Sequence, residues 1–201
     1  MELFLPLAFV AFLVAVVFWL MFRSRGQAPI NSPSVGFLNL GGEEFSQLVD
    51  RDTAALTPIF SLVKTGTGYQ IPHCDILFIY ANVTPDGSVG LGADLTVRHL
   101  AERAGAAIAV VASSNPSANI LAAAQLVGPK RANLVWTLDR KGEAFSRFFV
   151  ELFTRMKTGR SMPAAWASIS PQVPSRLQQN QNLPEMICNL EAGQVRFQRA
   201  G

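Results

Sequence analysis

Residues 3–22, LFLPLAFVAFLVAVVFWLMF, form an unbroken apolar run without an ionisable side chain, and Arg23 and Arg25 follow at once. A helix of roughly 20 apolar residues matches the hydrocarbon core of a bilayer, about 30 Å thick. The run therefore divides the chain into a transmembrane helix over residues 1–22, a linker over 23–34 and a domain over 35–201. A secretory signal peptide is the competing reading. It needs a positive start, a shorter apolar core and a small-residue cleavage site. This chain starts Met1-Glu2, its apolar core is too long, and Arg23 and Arg25 fall inside the cleavage window. Pro6 lies in the first turns, where helical N–H groups have no intrahelical partner. Trp19 fits an aromatic at the membrane interface. The expectation is an uncleaved, single-pass signal-anchor in the cell membrane. Positive charge flanking a span is retained in the cytoplasm. Arg23 and Arg25 thus place the N-terminus outside and the C-terminal domain in the cytoplasm.

The remaining length is enough for one domain with a core of its own. The net charge is +3, and the basic residues come as scattered pairs: Lys130 and Arg131, Arg140 and Lys141, Lys157 and Arg160. No basic stripe interleaved with aromatics is present, which argues against nucleic acid as a partner. These cations read as a solvated surface with some attraction to anionic lipid headgroups. Cys74 and Cys188 lack CxxC spacing, and a cytoplasmic setting predicts free thiols. His73 and His99 join no Cys or Asp cluster, so no metal site is expected.

Residues 23–34, RSRGQAPINSPS, have linker composition. Beyond them the pattern alternates. SVGFLNL (34–40) reads as a strand ending at Gly41-Gly42. Residues 43–63 read as a helix that becomes irregular and is broken by Pro58, and TGTGYQIP (65–72) as a loop. CDILFIYANV (74–83), AAIAVVAS (106–113) and RANLVWTLD (131–139) are continuous apolar runs of the kind buried on both faces of a parallel sheet. TPDG (84–87) is a turn. Between the runs lie two helices. One covers 94–105, with Asp94 as its N-cap and Gly105 as its stop, and the other covers 117–128, closed by Gly128. In 143–159 the residues Phe145, Phe148, Phe149, Leu152, Phe153 and Met156 make one apolar stripe at helical spacing. A short helix follows over 161–169. After a polar stretch, EMICNLEAGQVRFQ reads as a hairpin.

Buried strands alternating with helices predict an α/β sandwich with a mostly parallel central sheet. Sites in such sheets lie beyond the carboxyl ends of the strands, which singles out Gly41-Gly42, residues 82–87 and residues 113–117. Gly41-Gly42 lacks the GxGxxG and GxxxxGK[ST] patterns, and Glu43-Glu44 would repel phosphate while suiting a helix start. No cofactor is expected. Ser113, Ser114, Asn115 and Ser117 stand at a strand end beside a helix N-terminus, a place able to hold a carboxylate or phosphate. The plainer role for them is helix capping.

The order CDILFIYANVTPDGSVGL, helix, AAIAVVASSNPS, small-residue helix, then AFSRFFVELFTRMKTGRSMPAAWASI resembles the core of CHAT domains, bacterial relatives of the caspases. The resemblance implies a caspase-like three-layer sandwich over residues 35 to 197. It also implies a catalytic histidine just after the first of these strands, usually as His-Gly, and a nucleophilic cysteine at the end of the next. Here those positions are Asn82, followed by Val83, and Ser114, or Ser113 if the alignment slips by one. An amide is no base near neutral pH, and a hydroxyl without a base is a poor nucleophile. His73 and Cys74 sit at the opposite end of their strand, His99 reads as solvated, and Cys188 reads as a small buried hydrophobe.

The expectation is a CHAT-like pseudoenzyme held at the membrane, its partners the bilayer and a protein, serving prokaryotic signalling or defence. Two alternatives are a hydrolase using Ser113 or Ser114, and a nucleotide-sensing α/β module.

Overall fold

The computed structural model describes residues 29–90, 95–170 and 183–198. The span expected over residues 3–22, with Trp19, Arg23 and Arg25, lies outside them. Among the described residues no helix is long and apolar enough to cross a membrane.

The strands and helices run in the order β1 (Ser34–Asn39), α1 (Glu43–Leu56), β2 (Leu62–Thr67), β3 (Ile76–Tyr80), α2 (Val97–Ala104), β4 (Ile108–Val111), α3 (Ser117–Gln125), β5 (Asn133–Asp139), α4 (Ala144–Lys157), α5 (Met162–Ile169) and β6 (Glu185–Asn189). They build one six-stranded sheet of order β2-β1-β3-β4-β5-β6. All pairings are parallel except β5 with β6. The fold is α/β with a mostly parallel sheet.

β3 and β4 are apolar throughout, and β1 and β5 through their middles, because both faces are covered, and the side chains divide by alternation. Val35, Phe37, Ile76, Phe78, Tyr80, Ile108, Val110 and Val135 enter one core with Phe45 and Leu56 of α1, the phenylalanines of α4, and Ala165 of α5. Leu38, Leu77, Ile79, Ala109, Val111, Leu134 and Trp136 enter the other with Leu100 and Ala101 of α2 and Ile120 of α3. Every residue of the expected α4 stripe is buried. Phe78 stands at its centre, with Phe149 edge-on at 5.1 Å and Phe37 stacked at 5.4 Å. Such pairs add about 0.5–1.5 kcal/mol beyond burial.

Several expectations are corrected. Helix α1 ends at Leu56, and residues 62–67 are strand β2, an edge strand whose half-exposed, glycine-containing sequence carries no apolar run. The return from β2 to β3 has no helix. Instead residues 70–74 lie flat on the sheet, where a Cβ on Gly66 would come within 2.1 Å of the Gln70 carbonyl oxygen and one on Gly36 within 2.5 Å of Cys74 Sγ. Helix α2 is capped by Thr96, whose hydroxyl accepts from the His99 N–H, and not by Asp94, which lies outside the described residues. Gly105 stops it in the left-handed region, as expected. Helix α3 ends at Gln125, before Gly128, because Leu126 is already extended.

The expected C-terminal hairpin does not form. After β6 the chain turns across the sheet edge, where buried Asn133 accepts from Ala192 N–H at 2.9 Å and donates to the Gly193 carbonyl at 2.9 Å. Residues 195–197 then pair with Met162, Ser161 and Ile30 rather than with β6.

Candidate functional site

The chain leaves β1 outward to β2 and returns to β3 on the other side, so the topological switch lies between the carboxyl ends of β1 and β3. Three loops meet there. After β1, Asn39 organises the first: its Oδ1 accepts from Gly41 N–H at 3.1 Å and its Nδ2 donates to the Gly42 carbonyl at 2.7 Å. Gly42, at φ 62°, makes the turn into α1. Glu43 and Glu44 then fill the first turn of that helix, where a negative charge suits the dipole. The reading of Gly41-Gly42 as a turn and helix start stands.

The loop after β3 continues beside the loop after β4. The register Ile79↔Val111 extends through an Ala112 N–H to Ile79 carbonyl bond of 2.7 Å, and carried on it sets Asn82 opposite Ser114. Side chains take over the pairing at this point. Ser113 Oγ donates to the Ala81 carbonyl at 2.5 Å and accepts from the Ala81 N–H at 3.1 Å. Asn115 Oδ1 accepts from the Val83 N–H at 2.7 Å, and Asn119 Nδ2 donates to the Val83 carbonyl at 2.7 Å. Ser113 and Asn115 are thus buried clasps that hold the end of β3, with their polar atoms committed.

The capping role expected for this loop is not what the structure shows. Pro116 occupies the cap position of α3 and no side-chain cap bond forms. Ser114 and Ser117 are the exposed members.

Asn82 is exposed, and its Nδ2 donates to Glu44 Oε2 at 3.2 Å, which spans the switch point from β3 to α1. Ser114 Oγ accepts from the Arg140 backbone N–H at 3.2 Å. No imidazole takes part in either contact. His73 lies at the amino end of β3, next to Gly105, and His99 pairs its Nδ1 with Thr96 Oγ1 at 3.0 Å.

Neither cysteine is poised as a thiolate. Burial pushes the Cys74 thiol up to about 12, with the Asp75 carboxylate adding to the shift. Burial alone does the same for Cys188. In the next turn, Asp86 accepts from Thr84 and Ser88, and these bonds hold its carboxyl below the usual range. Gly87 has φ 81°, and a Cβ there would strike Ala123 of α3 at 2.5 Å, so only glycine fits this turn.

Beneath the loops lies a buried polar network that sequence reading did not find. Asp52 of α1 is fully buried. Its two oxygens accept from Arg140 Nη2 at 2.8 and 2.9 Å, from Tyr80 Oη at 2.7 Å and from Ser146 Oγ at 2.6 Å. The Arg140 guanidinium also donates to the Ala112 carbonyl and lies 3.9 Å from the centre of the Phe145 ring. Burial, and then the Asp52 charge, raise the Tyr80 hydroxyl well above its ordinary range, so it stays protonated and donates.

This overturns the reading of Arg140 as solvated surface: a buried carboxylate demands a cation, and Arg140 supplies it. The signal was present in α1, because Asp52 falls seven residues after Phe45 and four before Leu56, on the apolar stripe.

Such a network is a positioning device. It joins α1, the end of β3, the end of β4 and the start of α4, and through the Arg140 backbone it reaches Ser114. Comparisons with protein-family models, with curated proteins and with solved structures found no match for this chain.

Proposed function

We propose that the chain is a membrane-anchored, CHAT-like pseudoenzyme whose cytoplasmic domain acts as an interaction or regulatory module in prokaryotic signalling or defence. The observation that carries this reading is the pairing of Asn82 with Glu44 beside Ser114. The resemblance assigns a histidine and a cysteine to adjacent strand ends. The matching positions here lie opposite each other on adjacent strand ends, are exposed, and carry neither an imidazole nor a thiol.

Asn82 offers an amide that cannot accept a proton near neutral pH. Ser114 offers a hydroxyl whose contact is a backbone N–H donor, which cannot deprotonate it. The helices on both faces of the sheet, and the antiparallel strand confined to one edge, are compatible with a caspase-like sandwich. What remains at the site is a hydrogen-bonding platform bordered by Glu43 and Glu44. It suits a protein partner that brings donors or positive charge.

A photo-crosslinker in place of Asn82, in native membranes, tests the platform. A discrete crosslinked protein that disappears with Glu43→Lys/Glu44→Lys supports it. Fluorophosphonate labelling of the full chain tests the hydrolase alternative. Labelling abolished by Ser114→Ala or Ser113→Ala would overturn the pseudoenzyme reading.

A further inference from the structure

The two edges of the sheet carry opposite charge. At the carboxyl edge the acids are Glu43, Glu44, Asp86, Asp139, Glu143 and Glu185. Of the cations here, Lys141 is bound between Asp139 and Glu185 at 2.6 and 3.1 Å, Arg140 is buried on Asp52, and Arg147 stands exposed on the first turn of α4, outnumbered by the acids.

At the amino edge the exposed ions reverse. Arg103 ends α2, Lys130 and Arg131 precede β5, Lys157 and Arg160 follow from the end of α4, and Arg196 lies beside Ser161. The acids of this edge are fewer than its cations. Glu191 pairs with buried Arg98 at 2.5 Å, Glu102 with Arg131 at 3.5 Å, and Asp75 accepts from Ser34 N–H and Oγ at 2.8 and 2.7 Å. Val127, between the end of α3 and Lys130, is 96% exposed. A cavity of about 520 Å³ opens at the same edge, walled by Phe60 and Phe197 with Lys157 on its rim.

The chain enters the domain at this basic edge. Ile30 pairs with Phe197 and leads directly into β1. Between residue 22, the end of the apolar run, and Ile30 there are seven residues, whose eight steps span under roughly 30 Å even when fully extended. That tether keeps the domain within reach of the bilayer but does not by itself choose which edge faces it. The charge does. A basic surface is drawn to anionic headgroups within a Debye length, and an acidic surface is repelled.

We propose that the amino-terminal edge of the sheet lies against an anionic lipid surface, with Val127 at the headgroups, and that the Asn82–Ser114 platform is thereby presented away from the membrane. The tether argument rests on the anchor reading of residues 3–22. The charge argument does not.

The test uses the full chain reconstituted into vesicles of phosphatidylcholine, alone or mixed with phosphatidylglycerol, that carry a headgroup nitroxide quencher. A fluorophore is attached at Val127→Cys or at Glu43→Cys, with the labelled wild type as background for Cys74 and Cys188. In anionic vesicles the Val127 site is quenched several-fold more than the Glu43 site. The difference disappears in phosphatidylcholine, at high salt, and in a Lys130→Glu/Arg131→Glu/Lys157→Glu/Arg160→Glu variant. Equal quenching at both sites, stronger quenching at the Glu43 site, or a difference that survives the charge reversal would each overturn the proposal. Extraction by alkaline carbonate overturns the anchor alone, because the Val127 preference is still read on chain bound at low salt. Failure to bind anionic vesicles at low salt overturns both.

Discussion

Arg140 places one guanidinium nitrogen 2.8 and 2.9 Å from the two oxygens of Asp52, in the interior, across 88 positions of sequence. Removing one partner of such a pair leaves an uncompensated buried charge and costs about 3–5 kcal/mol, whereas replacing both with apolar residues costs far less. Asp52→Leu and Arg140→Met are therefore each expected to lower stability by about that amount, and Asp52→Leu/Arg140→Met by less than either single change. Urea unfolding of the three variants checks this.

Alkaline pH should destabilise the fold. The Cys74 and Cys188 thiols are raised from an ordinary 9.0 to about 12 by burial, and Tyr80 is raised well above 10.0. A raised pKa means that the folded state holds the proton more tightly. The contribution is therefore full below the ordinary value and lost as pH climbs toward the folded one. Urea midpoints should be flat near neutrality and fall from pH 9.0 toward about 12. In the same range the two thiols should react with a disulfide reagent far more slowly than in denatured chain.

The sheet was legible in the sequence because strands buried on both faces carry a continuous apolar run, as ILFIYA does in CDILFIYANV and LVW in RANLVWTLD. Helix α4 was legible because six apolar positions repeat at helical spacing. Strand β2 was hidden, since an edge strand such as LVKTGT is half exposed and carries two residues, Lys64 and Gly66, that report solvent and close packing rather than a core. The hairpin reading failed because Asn133, 59 and 60 positions away from its partners, captures the C-terminal turn. At the candidate site the strand ends were found from topology. The Asp52–Arg140–Tyr80–Ser146 network was missed because its members are scattered and only the fold brings them together.

Gly66 is the sharpest steric test of the extended return between β2 and β3. A methyl group there would meet backbone, which cannot swing aside as a side chain can. Gly66→Ala is expected to cost about 1–3 kcal/mol or more, and Gly36→Ala less, since the Cys74 side chain can move. Thermal unfolding of both separates backbone from side-chain obstruction.

Ser113 is expected to matter for stability and not for chemistry. Ser113→Ala strands the Ala81 N–H in the interior and leaves its carbonyl only the Asn115 amide as donor, at a cost of about 1–3 kcal/mol. Ser114→Ala, at an exposed position, should fall within about 0.5 kcal/mol of wild type. Denaturation of the two variants in parallel decides between these roles.

The account turns on Asn82 and Ser114 occupying the places of a lost catalytic pair. The most direct measurement is the pH dependence of alkylation of the thiol in Ser114→Cys, with and without Asn82→His. Cys74 and Cys188 are silent near neutral pH because burial holds both at about 12. An imidazolium within reach stabilises a thiolate, so the double variant is predicted to react at distinctly lower pH than the single one. Superimposable profiles would contradict the juxtaposition and the pseudoenzyme reading built on it.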